Sequence, residues 1–170
     1  MKTVVFTLVV LLLLNNCNGK EERQKSVITE NDVCALLDSK SVENIVGEKL
    51  IASPGERKFD YARTCSYTNK SGYPYIVLTL FLNERGKDVT YFAPPDSVFN
   101  SEIKALPKAP NRAIAVVGKE EKNTIELLAQ SGKRVVSFTF MKVEAKDGSQ
   151  NQKQLIQTLQ DVANKAKKLK

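Results

Sequence analysis

The chain is apolar from Val4 to Leu14 except at Thr7, polar and charged from Asn18 to about Thr29, and takes on the periods of secondary structure only after that. Val33, Leu36 and Leu37 follow Asn31 at helical spacing, and Val42, Ile45 and Val46 repeat the pattern after Ser41. Two short helices are predicted, the second capped by Ser41 and stopped at Gly47, where a left-handed backbone is needed. From Lys49 the period falls to two: Phe59, Tyr61, Cys65 and Tyr67 alternate with Asp60, Ala62, Thr64 and Ser66, and Arg63 interrupts the apolar side. Asn69-Lys70-Ser71-Gly72 supplies turn chemistry. Tyr73 to Leu82 is apolar on both alternations, which predicts a central strand buried on both faces and paired as a hairpin with the one before it.

A short strand is expected over Asp88 to Phe92, closed by Pro94-Pro95. Asp96 is then placed to cap a helix through Val98, Phe99 and Ile103, with Pro107 and Pro110 ending it. Strands over Ala113–Val117, Thr124–Gln130 and Arg134–Val143 read as an antiparallel meander, and Leu155, Ile156, Leu159, Val162, Ala163, Ala166 and Leu169 as an amphipathic closing helix. The order predicts an α+β fold, an antiparallel sheet of about five to six strands with N-terminal helices and a C-terminal helix packed on it.

The opening run changes the picture of where this fold resides. It is shorter than the roughly 20 residues that cross a bilayer, and with Lys2 before it it has the form of an export signal. Leu14-Asn15-Asn16-Cys17 follows. Lipidation of Cys17 explains a cysteine at this point, although Asn16 stands where a small residue is usual. The alternative is ordinary cleavage after Gly19, which gives a soluble secreted protein. The expected organisation is a signal peptide over 1–16, a lipidated, disordered tether over 17–29 and a single domain over 30–170. The 42% hydrophobic content suffices for one core.

Two cysteines remain, Cys34 and Cys65, and in an oxidising compartment an even pair is most simply a disulfide. With no histidine in the chain, zinc lacks its usual further ligands, and the triad and general-base arrangements built on histidine are excluded. No metal or cofactor is expected. Carboxylate chemistry would have to draw together Glu120 and Glu121, or Asp60 and Glu56. The first pair is better read as a solvated hairpin turn. Loss of Lys2 with the signal leaves 25 basic residues against 19 acidic ones. Both signs are mixed, so no nucleic-acid partner is expected. The cluster Lys165, Lys167, Lys168 and Lys170 suits a helix C-terminus. Tyr61, Tyr67, Tyr73 and Tyr75 are expected as half-buried packing with solvated hydroxyls rather than one binding surface. Asn69-Lys70-Ser71 fits a glycosylation sequon, relevant only in a eukaryotic secretory route. The sheet face and the loop Pro94 to Asp96 are the places to seek a ligand.

Three separated pieces carry a resemblance: Asp32-Val33-Cys34-Ala35-Leu36-Leu37 with Val42-Glu43-Asn44-Ile45-Val46-Gly47, then Thr64-Cys65-Ser66-Tyr67, then the late strands with their closing helix. Together they resemble small secreted lipoproteins of actinobacteria that share a PsbP-like α/β/α sandwich, and the relaxed box before Cys17 resembles those of spirochaete lipoproteins. The resemblance implies a bridge between Cys34 and Cys65 and no activity, since fold does not fix function. Tyr67 stands where that family often has tryptophan, and this chain has no tryptophan.

The expected role is a membrane-anchored, non-enzymatic binding or interaction module of the bacterial cell envelope, held to the lipid bilayer through acylated Cys17 and facing the periplasm or exterior. An accessory subunit docking on an envelope protein complex is the second expectation. A carboxylate-only hydrolase or lyase is the third.

Overall fold

A computed structural model describes residues 27–57, 59–95 and 100–169. The expected signal peptide, Cys17, most of the expected tether and the expected cap at Asp96 with Val98 and Phe99 lie outside the described residues. Ile28 and Thr29, expected in the tether, belong to the fold: Ile28 is buried in the core, and Thr29 caps the first helix.

That helix, α1 (Glu30–Cys34), starts with a reciprocal capping box between Thr29 and Asp32. The Thr29 N–H donates to Asp32 Oδ2 at 2.7 Å and the Asp32 N–H to Thr29 Oγ1 at 3.3 Å. The Thr29 N–H and, at 2.8 Å, the Thr29 hydroxyl both donate to the Asp32 carboxylate and hold it below its usual range. The second helix, α2 (Lys40–Val46), has Ser39 rather than Ser41 at its N-cap and ends as expected at Gly47, with φ of 80°. Helix α3 (Gln150–Ala166) closes the chain behind the Ser149 cap.

The strands are β1 (Ile51–Pro54), β2 (Ala62–Thr68), β3 (Pro74–Leu82), β4 (Ser101–Ala105), β5 (Arg112–Gly118), β6 (Thr124–Ser131) and β7 (Arg134–Phe140). They form one sheet in the order β1-β2-β3-β7-β6-β5-β4, every pair antiparallel. Seven strands thus replace the five to six expected. Two meanders, β1–β3 and β4–β7, are joined along β3 and β7. The expected meander of three late strands is present and gains β4 at its edge. Ile103, expected in a helix, lies in β4 opposite Val116. Asp88 to Phe92 is no strand: Val89–Phe92 is a 3₁₀ turn capped by the Asp88 carboxylate.

Alternation sorts the sheet into two faces. Cys65, Tyr67, Ile76, Leu78, Leu80, Leu127, Ala129, Val136 and Phe138 face the three helices and are buried with Val33, Leu36, Leu37, Val42, Leu155, Leu159 and Val162. Strand β3 is central, but its second face is only half-buried at Val77, Thr79 and Phe81. The Cys34–Cys65 disulfide, with Cα atoms 5.1 Å apart, ties α1 to β2. Polar anchors fix α3: Gln152 Nε2 donates to Thr124 Oγ1 at 2.9 Å, Gln160 Oε1 accepts from the Asn111 N–H at 3.0 Å, and Lys165 Nζ donates to the Leu36 carbonyl at 3.1 Å.

Candidate functional site

The helix face of β2 offers no room for a ligand, because Arg63, Cys65 and Tyr67 fill it. Arg63 is 3% exposed yet charged. Its Nη1 donates to the carbonyls of Phe59, Asp60 and Ala62 at 2.8–3.0 Å, and its Nε donates to the Ile28 carbonyl at 3.0 Å. The apparent break in the apolar side is therefore a structural cation that collects backbone oxygens from two segments. Tyr67 is fully buried, and its hydroxyl is shared between the carbonyls of Cys34 and Leu37 at 3.2 and 3.0 Å. Burial raises the phenol above its ordinary range. The expectation of a solvated hydroxyl fails here, since β2 carries Tyr67 under α1.

On the opposite face, strand register lines up side chains from five strands. One row runs Ser66, Val77, Thr139, Glu126, Val116, and the next Thr64, Thr79, Ser137, Leu128, Ile114. The β5–β7 end of these rows is covered. Val89, Phe92 and Ala93 of the segment after β3 pack on Ile114, Val116, Leu128 and Val135. Asn83 clamps that segment, its side chain exchanging bonds of 2.7 and 2.8 Å with the Lys87 carbonyl and N–H.

Among the described residues, none covers the β2–β3 end. A groove of about 490 Å³ lies there, floored by Thr64, Ser66 and Thr79 and flanked by Glu56, Phe59 and Phe81. Gly55 lets β1 close one side: its N–H donates to the Thr64 carbonyl at 3.0 Å, and a Cβ at that position would lie 1.9 Å from Thr64 Oγ1. Phe59 is 55% exposed and stacks on Tyr61 with ring centroids 5.3 Å apart. Glu56 is the charged side chain lining the groove among the described residues.

A hydroxyl from each row converges on Glu126, which accepts from Ser137 Oγ and, at 3.4 Å, from Thr139 Oγ1. Burial pushes its carboxyl up to about 7, against the opposing pull of the two hydroxyls. Among the described residues it has no cationic partner. Sequence reading passed over Glu126. An acidic residue at an inward position of a predicted strand was the available signal.

The other candidates disperse. Glu120 and Glu121 occupy the exposed β5–β6 turn, where Asn100 Nδ2 donates to Glu120 Oε1 at 3.1 Å. Asp60 and Glu56 stand on separate hollows. Tyr73 and Tyr75 sit at the far end of the β2–β3 hairpin from Tyr61, so the tyrosines form no common surface. There Tyr75 donates to Glu48 Oε1 at 2.7 Å, and Lys142 Nζ lies 4.1 Å from the Tyr73 ring centroid. The sequon residue Asn69 uses its amide within the turn, accepting from the N–H groups of Ser71 and Tyr73. No cluster of three metal-ligating side chains occurs among the described residues, and no helix among them is long and apolar enough to cross a membrane. The chain matches no protein-family model, and no curated protein matches it in sequence.

Proposed function

We propose that the protein is a membrane-anchored, non-enzymatic lipoprotein of the bacterial cell envelope that binds a neutral, polyhydroxylated ligand in the β2–β3 groove. The observation that carries this reading is the asymmetry of the sheet. Helices and a disulfide seal one face, while the other keeps Thr64, Ser66 and Thr79 open beside an exposed aromatic pair. Hydroxyls both donate and accept, so they match a ligand made of hydroxyls. The Phe59 ring offers the flat apolar surface on which the C–H face of a sugar ring rests. Among the described residues that line the groove the charged side chain is Glu56, which repels anions. The disulfide between a first helix and a strand, with a closing helix on the sheet, also supports the kinship with PsbP-like lipoproteins.

The test is ligand-observed NMR on the detergent-extracted protein, with neutral oligosaccharides of glucose and of N-acetylglucosamine as probes. Saturation transfer that disappears in Thr79→Leu supports the reading. No transfer with the wild type, or transfer that Thr79→Leu leaves intact, rejects the groove. Intact-mass spectrometry of the same preparation checks the anchor. Acyl mass on a chain beginning at Cys17 supports it, whereas an unmodified chain beginning at Lys20 makes the protein a soluble secreted one.

A further inference from the structure

The sheet end where β2 starts and β3 stops is also where the described chain begins. Arg63 Nε holds the Ile28 carbonyl at 3.0 Å. Glu30, two residues on, pairs with Arg57 at 3.2 Å and lies 3.5 Å from Arg63. Val27, 64% exposed, therefore leaves the fold at this end of the sheet.

The same end presents unusual apolar surface. Tyr61 and Tyr91 are 52% and 68% exposed, and both border a hollow of about 780 Å³ backed by Phe81 and Phe92. Phe92 contacts Phe81 and Tyr91 with ring centroids 4.9 and 5.4 Å apart, so the exposed rings are braced from behind. Lys87 Nζ lies 5.3 Å from the centroid of Tyr91. Asp60, Glu84, Arg85 and Lys87 surround the hollow with both signs of charge.

Residues 18–26 join Cys17 to Val27. A segment of that length reaches on the order of 35 Å when fully extended, and its root-mean-square span as a flexible chain is about 17 Å. The nine residues of β3 alone cover about 30 Å. At the segment's mean span, an anchor at Cys17 brings the Tyr61–Tyr91 end to the bilayer more readily than the Tyr73 end.

We propose that this end docks on the lipid surface, with Val27, Tyr61 and Tyr91 lodged at headgroup level. The proposal rests on acylation of Cys17. Tyrosine suits that depth because its ring is apolar and its hydroxyl stays hydrated. Among the described residues lining the hollow the two signs of charge balance, so the aromatic surface drives docking. The groove runs from Phe59 along the sheet away from this end and stays open to a ligand.

The chain has no tryptophan, so a single introduced one is a clean reporter. The acylated full chain is reconstituted into phosphatidylcholine vesicles with brominated acyl chains, as Tyr91→Trp, Tyr61→Trp and, at the opposite end, Tyr73→Trp. Docking predicts blue-shifted, quenched emission for the first two and unquenched emission for Tyr73→Trp, unchanged when phosphatidylglycerol is added. The two near-end reporters guard against a variant that misfolds. Vesicle-bound protein with no quenching in Tyr91→Trp and Tyr61→Trp overturns the docking face while leaving the anchor intact. Quenching of Tyr73→Trp instead, or quenching only with anionic lipid, also overturns it. Protein that fails to float with the vesicles removes the anchor and the proposal together.

Discussion

Arg63 gathers four backbone carbonyls around one guanidinium, and no other side chain can do that without losing most of the bonds. Lysine lacks the planar fork, and an apolar residue leaves several buried oxygens unpaired. Arg63→Leu should therefore lower stability by about 3 kcal/mol or more, and Arg63→Lys should recover only part of it, as urea midpoints will show. If Arg63→Leu melts like the wild type, the carbonyls have found water. Glu126 works with the opposite sign. Its carboxyl sits at about 7 in the fold, against 4.5 as its ordinary value. Between those two values the folded state holds a proton that the unfolded state has released, so stability falls as pH rises through the window. The loss is complete above it and amounts to about 3 kcal/mol. Glu126→Gln, which keeps an acceptor for Ser137, should stabilise the protein at pH 8 and make little difference at pH 4. Equal shifts in melting temperature at the two pH values would reject this account. In the sequence Arg63 looked like a flaw in a pattern and Glu126 like one acid among many. What each became was decided by carbonyls and hydroxyls from other strands and by burial, and neither is encoded locally.

At the scale of elements, periodicity was a good guide wherever an element buries a whole face. Gly47, the hairpin of β2 with β3, strands β5 to β7 and helix α3 all follow it. It failed at the margins. All four residues of β1 are exposed, so it has no apolar signature, and it exists because its backbone pairs with β2. In β4, Glu102 and Lys104 alternate with Ile103, a pattern too short to outweigh the cap and proline signals around it. Phe59 and Tyr61 belonged to the expected alternation but precede β2 and stay exposed, because Arg63 folds that segment back on itself. The disulfide was legible from the cysteine count together with the oxidising compartment expected of an exported chain, and it closes a loop spanning 31 positions. That loop corresponds to about 3–4 kcal/mol on the chain-entropy view. Cys34→Ser and Cys65→Ser should then lower the melting temperature by similar amounts, and the double substitution by little more than either. Additive losses in calorimetry would mean that each cysteine acts through its own packing instead.

For the whole molecule, the decisive feature is that two meanders share one seam, β3 against β7, and that the seam is covered unequally on its two sides. The groove, the hydroxyl rows and the aromatic end all arise from register across strands far apart in sequence. The chain read in order suggested that a sheet face would matter but not which side chains would meet on it. The same layout sets a gradient of local stability. Residues Ile76 to Leu80 and Val135 to Phe138 lie in interior strands with helices on one side, whereas β1 is an exposed edge of four residues. Amides near the seam open only when the sheet as a whole comes apart, and edge amides need only local fraying. Hydrogen exchange should therefore be slowest for alternate amides of β3 and β7 and fastest in β1, although β1 pairs with the strand that carries Cys65. Reduction of the disulfide sharpens the test. Freed from β2, α1 and the chain around Ile28 should exchange sooner while the seam keeps its protection, because helix α3 and the meander β4–β7 hold it without the bridge. If reduction exposes β3 and β7 as well, the two meanders depend on the bridge and unfold as a single unit.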